Sequence, residues 1–245
     1  MKFMLLRLLT SLFAAVVGVA AAPVADSATP QDSPQPALMF ARLCATCHGP
    51  KGEGREDLRT PSIANEPWWY VVAQLNHFHD GRRGARPLQD PQGALMAAVA
   101  KGLSELDRLA LARHVESLPL VPPAKRRIEG ADVARGQELF YERCMECHRY
   151  NASGEMAFGS PPLIGRQGWY LIEQLRKFKA RHRGAEKGDE KGAKMVNMAT
   201  LFIEDEQAMR NVVGYILTLN PEPAPKAETP FNPSAHPVQP GKVAP

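Results

Sequence analysis

Apolar residues recur at helical spacing in several separate segments, and no segment alternates apolar and polar residues for long enough to predict a strand. The segments with helical spacing are residues 38–45, 69–78 and 104–118, and then 133–145, 169–178 and 205–219. In segment 104–118, Ser104 is followed three residues later by Asp107, which predicts a helix N-terminus. The pattern predicts an all-α protein.

The second half of the chain repeats the first half at an offset of 100 residues. The identical pairs include Phe40/Phe140, Cys44/Cys144, Cys47/Cys147, His48/His148, Pro61/Pro161, Trp69/Trp169, Tyr70/Tyr170, Gln74/Gln174, Leu75/Leu175, Phe78/Phe178 and Arg83/Arg183. Agreement in one fixed register indicates a tandem duplication. A repeat of this length predicts two similar domains rather than a solenoid.

Proline-rich and polar segments divide the chain. We expect a first domain at residues 38–118 and a second at 131–220, joined by a Pro-rich and basic linker at 119–130. Residues 26–37 predict a flexible leader. Residues 221–245 are too rich in proline to build a helix or a sheet core, which predicts a disordered tail.

The first 25 residues have the pattern of a secretory signal peptide. Lys2 and Arg7 provide a positive start, and an apolar run and small residues follow. The alternative is a retained anchor, because residues 3–22 approach the length that spans a membrane. Export predicts a periplasmic protein, and an uncleaved leader would attach it to the membrane.

The overall charge does not indicate a nucleic-acid partner. The chain has 245 residues, 44% of them hydrophobic, and a formal net charge of +4. Its four cysteines all lie in two Cys-x-x-Cys-His motifs, residues 44–48 and 144–148. The chemistry of the protein therefore depends on what these two motifs bind.

Three interpretations of the cysteines compete. Disulfide bonds form outside the cytosol, but they do not explain a histidine after each pair. A zinc site needs ligands that converge, whereas these pairs lie 100 residues apart in separate copies of the repeat. Covalent attachment of haem c explains both the histidines and the export signal, so we favour two haem c groups as cofactors.

The spacing suits haem attachment because side chains at i, i+3 and i+4 share one face of a helical turn. Two thiols can form thioethers to the two vinyl groups, and the histidine can then ligate the iron. The residues with these expected roles are Cys44, Cys47 and His48 for one haem, and Cys144, Cys147 and His148 for the other.

The ligand on the opposite side of each iron decides the function. A methionine thioether closes the site and raises the reduction potential, as electron transfer requires. The first half offers Met96, and the second half offers Met195 and, as an alternative, Met198. We predict Met96 and Met195, because each precedes the last helix of its half at nearly the same distance.

On these motifs, the sequence resembles the dihaem cytochromes c of the c4 type over residues 38–220. The matching segments are Pro61–Ile63, Trp69-Tyr70, Gln74-Leu75 and Met96, and in the second half Pro161–Leu163, Trp169-Tyr170, Gln174-Leu175 and Met195. The resemblance implies that the carbonyls of Pro61 and Pro161 accept the second ring N–H of the two histidines. It also implies that the first and last helices of each half cross, near Phe40 in the first half and near Phe140 in the second. Tyr215 would be the partner of Phe140, and His114 would be the partner of Phe40, as a polar substitution.

The resemblance implies one-electron transfer in a respiratory chain without bond-making catalysis. The donor would be a quinol-oxidising complex or a dehydrogenase, and the acceptor a terminal oxidase. Alternatives are the cytochrome subunit of a dehydrogenase complex and a dihaem peroxidase-like enzyme with an iron open to substrate. A haem-based gas sensor is a further alternative, but the sequence has no signalling domain that supports it.

Charged stretches follow the helices at 69–78 and 169–178. Residues 179–194 carry both charge signs and predict a solvated loop. Arg83 and Arg183 lie in such stretches, and three interpretations are open for them: contact with haem propionates, contact with a redox partner, and surface solvation. His77 lies there too and is not expected to bind a metal.

Overall fold

A computed structural model describes residues 35–219, which form five helices in each half in the same order. The helices of the first half are α1 (Pro36–Leu43), α2 (Ala45–His48), α3 (Trp68–His79), α4 (Pro91–Lys101) and α5 (Glu105–Ser117). Those of the second half are α6 (Val133–Arg143), α7 (Met145–His148), α8 (Gly168–Lys179), α9 (Glu190–Phe202) and α10 (Glu206–Ile216). These residues contain no strand, only the isolated bridges Arg55–Thr60 and Glu155–Ser160. The predicted all-α tandem fold is confirmed.

The first and last helices of each half pack together through aromatic rings. The ring centroids of Phe40 and His114 lie 5.1 Å apart, and those of Phe140 and Tyr215 lie 5.4 Å apart. The predicted crossings are confirmed, and His114 takes the place of an aromatic ring there. In the second half, α6 lies close to α10 at Gly136. A Cβ on this residue would overlap the carbonyl of Asn211, so the close approach requires glycine here.

Polar caps fix where the helices start. Ser104 accepts a hydrogen bond from the backbone N–H of Asp107 at 3.1 Å, and the Asp107 carboxylate accepts one from Ser104 N–H at 3.0 Å. This reciprocal capping box confirms the predicted start of α5. Asp90 caps α4 and Asp189 caps α9 without a reciprocal bond. Each aspartate side chain accepts one hydrogen bond from a backbone N–H of the first helical turn.

Helices α4 and α9 were missed by the apolar periodicity. Residues 179–194 were expected to be a solvated loop, and this is wrong for its last part because α9 begins at Glu190. The sequence signals that indicate these two helices lie at their N-termini. Asp90 is followed by Pro91 at the first helical position, and Asp189 precedes an acidic first turn.

No helix of the described residues continues from the first half into the second, since α5 ends at Ser117 and α6 begins at Val133. The linker expected at 119–130 falls in this segment, where Lys125 pairs with Glu56 at 3.0 Å. In the described part of the chain, no helix has both the length and the apolar character needed to span a membrane. The expected signal peptide and the Pro-rich tail lie outside the described residues.

Candidate haem sites

The first cysteine motif forms a single helical turn. Cys44 follows the end of α1, and Cys47 and His48 belong to α2. The backbone N–H of His48 donates to the carbonyl of Cys44 at 2.8 Å. This i to i+4 bond places both thiols and the imidazole on one face of the turn, as attachment of one planar group requires.

The second motif repeats this turn in a more enclosed setting. The backbone N–H of His148 donates to the carbonyl of Cys144 at 3.0 Å, and His148 is only 6% exposed. No disulfide joins any of the four cysteines, all of which are described. Between residues 35 and 219, no three His, Cys, Asp or Glu side chains cluster as a metal site. The disulfide and zinc interpretations thus find no support.

The first thiol of each motif, on Cys44 and on Cys144, is held in its neutral form. Burial, and to a lesser degree the second thiol of each pair, raises the pKa of Cys44 to about 11 and that of Cys144 to about 12. A zinc site needs thiolates, which this environment disfavours. Neutral thiols in apolar surroundings instead fit the covalent attachment of an apolar macrocycle.

Each motif histidine is oriented by a proline carbonyl. His48 Nδ1 lies 2.8 Å from Pro61 O, and His148 Nδ1 lies 3.0 Å from Pro161 O. A carbonyl oxygen only accepts, so the hydrogen is on Nδ1 and Nε2 is free to ligate a metal. Burial lowers the pKa of both histidines, and the bond to proline raises it by less, so both rings are neutral. The expected histidine–proline contacts are confirmed.

The methionines can be compared by their distance from the helix cap. Met96 lies six residues after Asp90, the N-cap of α4, and Met195 lies six residues after Asp189, the N-cap of α9. Met198 lies nine residues after the same cap. The structural counterpart of Met96 is therefore Met195, although the two halves are out of the 100-residue register here by one residue.

The packing around the two methionines agrees with this assignment. Met96 contacts a cluster formed by Phe78, Ala97 and Ala100. Met195 contacts the corresponding cluster of the second half, formed by Phe178, Val196 and Ala199. Each methionine is thus held against the end of the preceding long helix.

A cavity of about 500 Å³ lies at the second motif. The side chains that line it include Cys144, Cys147, His148 and both candidate methionines, Met195 and Met198. A volume of this size is in the range of cofactor pockets. The thiols, the imidazole and the thioether sulfurs therefore face one space, and the donor set fits a haem c group.

The first half also contributes to this cavity, through residues at the contact between the halves. Two arginines exchange hydrogen bonds across that contact. Arg83 donates to Gln74 at 2.7 Å and to Gln174 at 3.1 Å, and Arg183 donates to Gln174 at 2.7 Å and to Gln74 at 3.0 Å. Surface solvation, one of the three interpretations for these arginines, is wrong because both are less than 10% exposed.

The positive charge of these guanidiniums has no anionic hydrogen-bond partner among residues 35–219. Besides the glutamine amides, Arg183 donates to the hydroxyl of Tyr70 at 2.9 Å and Arg83 to that of Tyr170 at 3.4 Å. The Nε atom of Arg83 is buried without a hydrogen-bond partner. Buried charges are normally paired. Nearby carboxylates act on these guanidiniums without a hydrogen bond, Asp90 on Arg83 and Asp189 on Arg183, and the propionate carboxylates of haem would add hydrogen-bond acceptors.

A second arginine contact holds the segment that follows Pro61. Arg166 is 2% exposed and donates to the carbonyls of Ser62 at 3.2 Å and Ala64 at 3.0 Å. Its Nε lies 3.2 Å from the carboxylate of Glu66. The neighbouring Gln167 accepts from Ser62 N–H at 2.9 Å. The second half thus supports the loop that orients His48, a role that the sequence did not reveal.

Comparison with known proteins gives the family. The family model described as cytochrome c matches residues 36–119 and 133–220. The chain is 30% identical over 196 residues to a thiosulfate dehydrogenase electron acceptor of Thiomonas intermedia, covering 76% of this chain and 80% of that protein. It is 28% identical over 151 residues to the cbb3-type cytochrome c oxidase subunit FixP of Bradyrhizobium diazoefficiens, covering 58% of this chain and 50% of that subunit.

A solved structure agrees on the fold. The reduced recombinant cytochrome c4 from Pseudomonas stutzeri superposes with a TM-score of 0.61 at 23% identity. The match covers 76% of this chain and 97% of that one. Both halves of the described region therefore have the tandem arrangement of that protein.

Proposed function

Because the chain belongs to the cytochrome c family and carries two covalently bound haem c groups, we propose that it is an exported carrier of single electrons between a dehydrogenase and a terminal oxidase. The leader pattern of residues 1–25 supports export. The name of the Thiomonas relative supports a dehydrogenase as donor, and that of the FixP relative supports an oxidase as acceptor.

The proposal depends on one observation, which is that both halves present the same pair of side chains: an imidazole bonded to a proline carbonyl, and a methionine six residues after a helix cap. We assign His48 and Met96 to the first iron, and His148 and Met195 to the second. The four cysteines form the thioether links. When bound, a haem iron supplies the chemistry by alternating between its ferrous and ferric forms.

The chain itself binds, orients and shields the two groups. The carbonyls of Pro61 and Pro161 fix the imidazoles and increase their basicity. Arg83 and Arg183 offer buried positive charge for the propionates. With two protein ligands at each iron, no coordination position remains for a substrate, so we expect the protein to be a carrier and not an enzyme.

The experiment is visible absorption spectroscopy of the purified ferric protein with a methionine variant. We expect a sulfur-to-iron charge-transfer band in the far red from both haems. Met96→Ala should remove the contribution of the first haem to this band and lower the reduction potential of that haem. After reduction, carbon monoxide should bind the first iron, because the thioether no longer closes the site.

Leu95→Ala is the matched control, since Leu95 precedes Met96 on α4 and is 72% exposed. It should leave the far-red band and both potentials unchanged. A wild-type protein that binds carbon monoxide readily at both irons would contradict the carrier proposal.

A further inference from the structure

Each methionine-bearing helix begins at an aspartate that faces a basic side chain from the other half. Asp90, at the start of α4, lies 2.7 Å from the ammonium of Lys177 in α8. Asp189, at the start of α9, has a carboxylate oxygen 3.6 Å from Nδ1 of His77 in α3. Residues 77 and 177 occupy equivalent positions of the repeat, so the two contacts are reciprocal. The two contacts differ in the basic residue, which is lysine in the first and histidine in the second.

Both contacts are enclosed. The side chains of Lys177 and Asp90 are 9% and 2% exposed, and those of His77 and Asp189 are 14% and 7% exposed. Charges in such settings are weakly screened by solvent and salt. A change of charge on either basic residue therefore acts on the neighbouring aspartate at nearly full strength.

The aspartates are also fixed to the first turn of the helices. Asp90 accepts from Gly93 N–H and Asp189 from Gly192 N–H, both at 2.8 Å. A Cβ on either glycine would overlap the aspartate carboxylate, so the cap leaves no room for another arrangement. The charge balance at the cap is thereby tied to the helix that carries the methionine.

We propose that Lys177 and His77 are positioning residues, each acting through an aspartate cap on the methionine helix of the opposite half, and that the histidine makes the potential of the second haem depend on pH. This inference rests on the proposed function, in which Met96 and Met195 ligate the two irons.

Four charged groups face His77. The carboxylate of Asp189 raises the pKa of His77, but burial, which is the largest effect, and the guanidiniums of Arg82, Arg183 and Arg83 lower it. The lowering effects prevail, so the pKa lies below the ordinary value of about 6.5. His77 is then neutral at pH 7 and gains its proton only at a pH below about 6.5.

The sign follows from the charges. His77 lines the cavity of the second site, and its protonation adds positive charge there and offsets Asp189. Positive charge favours the reduced iron, which carries one charge fewer than the oxidised iron. The potential of the second haem should therefore rise as the pH falls through the pKa of His77. By linkage, oxidation of that haem weakens proton binding at His77.

The test is a spectrally resolved redox titration of the full-length holoprotein at several pH values from about 5 to 8. Met96→Ala assigns the two potentials, because it lowers only the first. In the wild type, we expect the second potential to fall with rising pH at pH values below about 6.5 and to be level above that. His77→Lys should abolish this dependence, and Lys177→His should confer a similar one on the first haem.

His79→Gln is the control. His79 lies on the same helix, is more exposed and pairs with Asp80 of its own half at 2.8 Å, so its loss should leave both pH profiles unchanged. His77→Lys retains a basic residue opposite Asp189, and it therefore provides a test even if Lys177→His does not fold.

The outcomes separate the two proposals. If the far-red band is present in His77→Lys and the second potential keeps the wild-type pH dependence, the role of His77 is wrong and methionine ligation stands. If the wild-type protein lacks the far-red band, the proposed ligands are wrong and this inference fails with them.

Discussion

The two halves of the protein repeat the same helices, but their contact surface combines two kinds of contact. Arg83 and Arg183 are the same residue in both copies, and each donates to the glutamine amide of the other half. Where equivalent residues meet each other directly, they differ in charge, as Glu66 and Arg166 do. Two identical charges would repel at that point, so a duplicated chain can form this interface only after its copies diverge.

The two cysteine motifs also differ in how far they are enclosed. His148 is buried, whereas His48 is partly exposed, and Cys47 is more exposed than Cys147. Residues of the first half, including Tyr70 and Gln74, reach the cavity of the second site. One motif can therefore serve in two environments, since the environment is set by the neighbouring domain.

The largest effect should come from removing one attachment site. The double substitution of Cys144 and Cys147 by alanine should reduce the haem content from two to one per chain and leave the first haem spectrum intact, because the thioether links of the halves are independent. Haem quantification and mass spectrometry of the intact protein measure this. The matched control removes Cys44 and Cys47 instead. If either variant loses both haems, the halves depend on each other for attachment.

A second prediction sharpens the comparison of the methionine helices. Met195→Ala should remove the far-red band of the second haem and lower its potential, because Met195 has the register of Met96 from the helix cap. Met198→Ala should retain both. Absorption spectra and redox titration of the two variants distinguish them. The opposite result would make Met198 the ligand and break the correspondence between α4 and α9.

The smallest of the three effects concerns stability. Glu66→Ala should lower the free energy of unfolding by about 3–5 kcal/mol, because it leaves Arg166 buried without its carboxylate. Urea unfolding followed by circular dichroism and haem absorption measures the loss. Glu66→Gln keeps a hydrogen-bond acceptor and should cost less.

Arg135→Ala is the surface control, since its pair with Glu138 is exposed and such pairs contribute little. An equal loss for Arg135→Ala and Glu66→Ala would show that the contact between the halves adds nothing to stability.

The sequence predicted what depends on local chemistry. The cysteine motifs, the repeat and the capping box at Ser104 are all short-range patterns, and the structure contains them where they were expected. The histidine–proline contacts followed from the resemblance. In each case, the partners lie within a short stretch of chain or at matching positions of the repeat.

The contacts between the halves could not be predicted from the sequence. No role for Lys177 or Arg166 followed from the sequence, and the role of Arg83 stayed open, because a charged residue beside other polar residues normally faces water. Here, a second domain covers them and supplies their partners from about 90 to 100 residues away. Helices α4 and α9 were missed because small and polar residues weaken their apolar periodicity.

The capping aspartates set the position of the methionines independently of the length of the preceding loop. Asp90 lies 42 residues after His48 and Asp189 lies 41 residues after His148, yet each methionine follows its cap by six. Insertions or deletions before the cap would thus be tolerated during evolution. One extra residue between cap and sulfur would turn the methionine by about 100° around the helix axis and away from the cluster at Phe78 or Phe178 that it contacts.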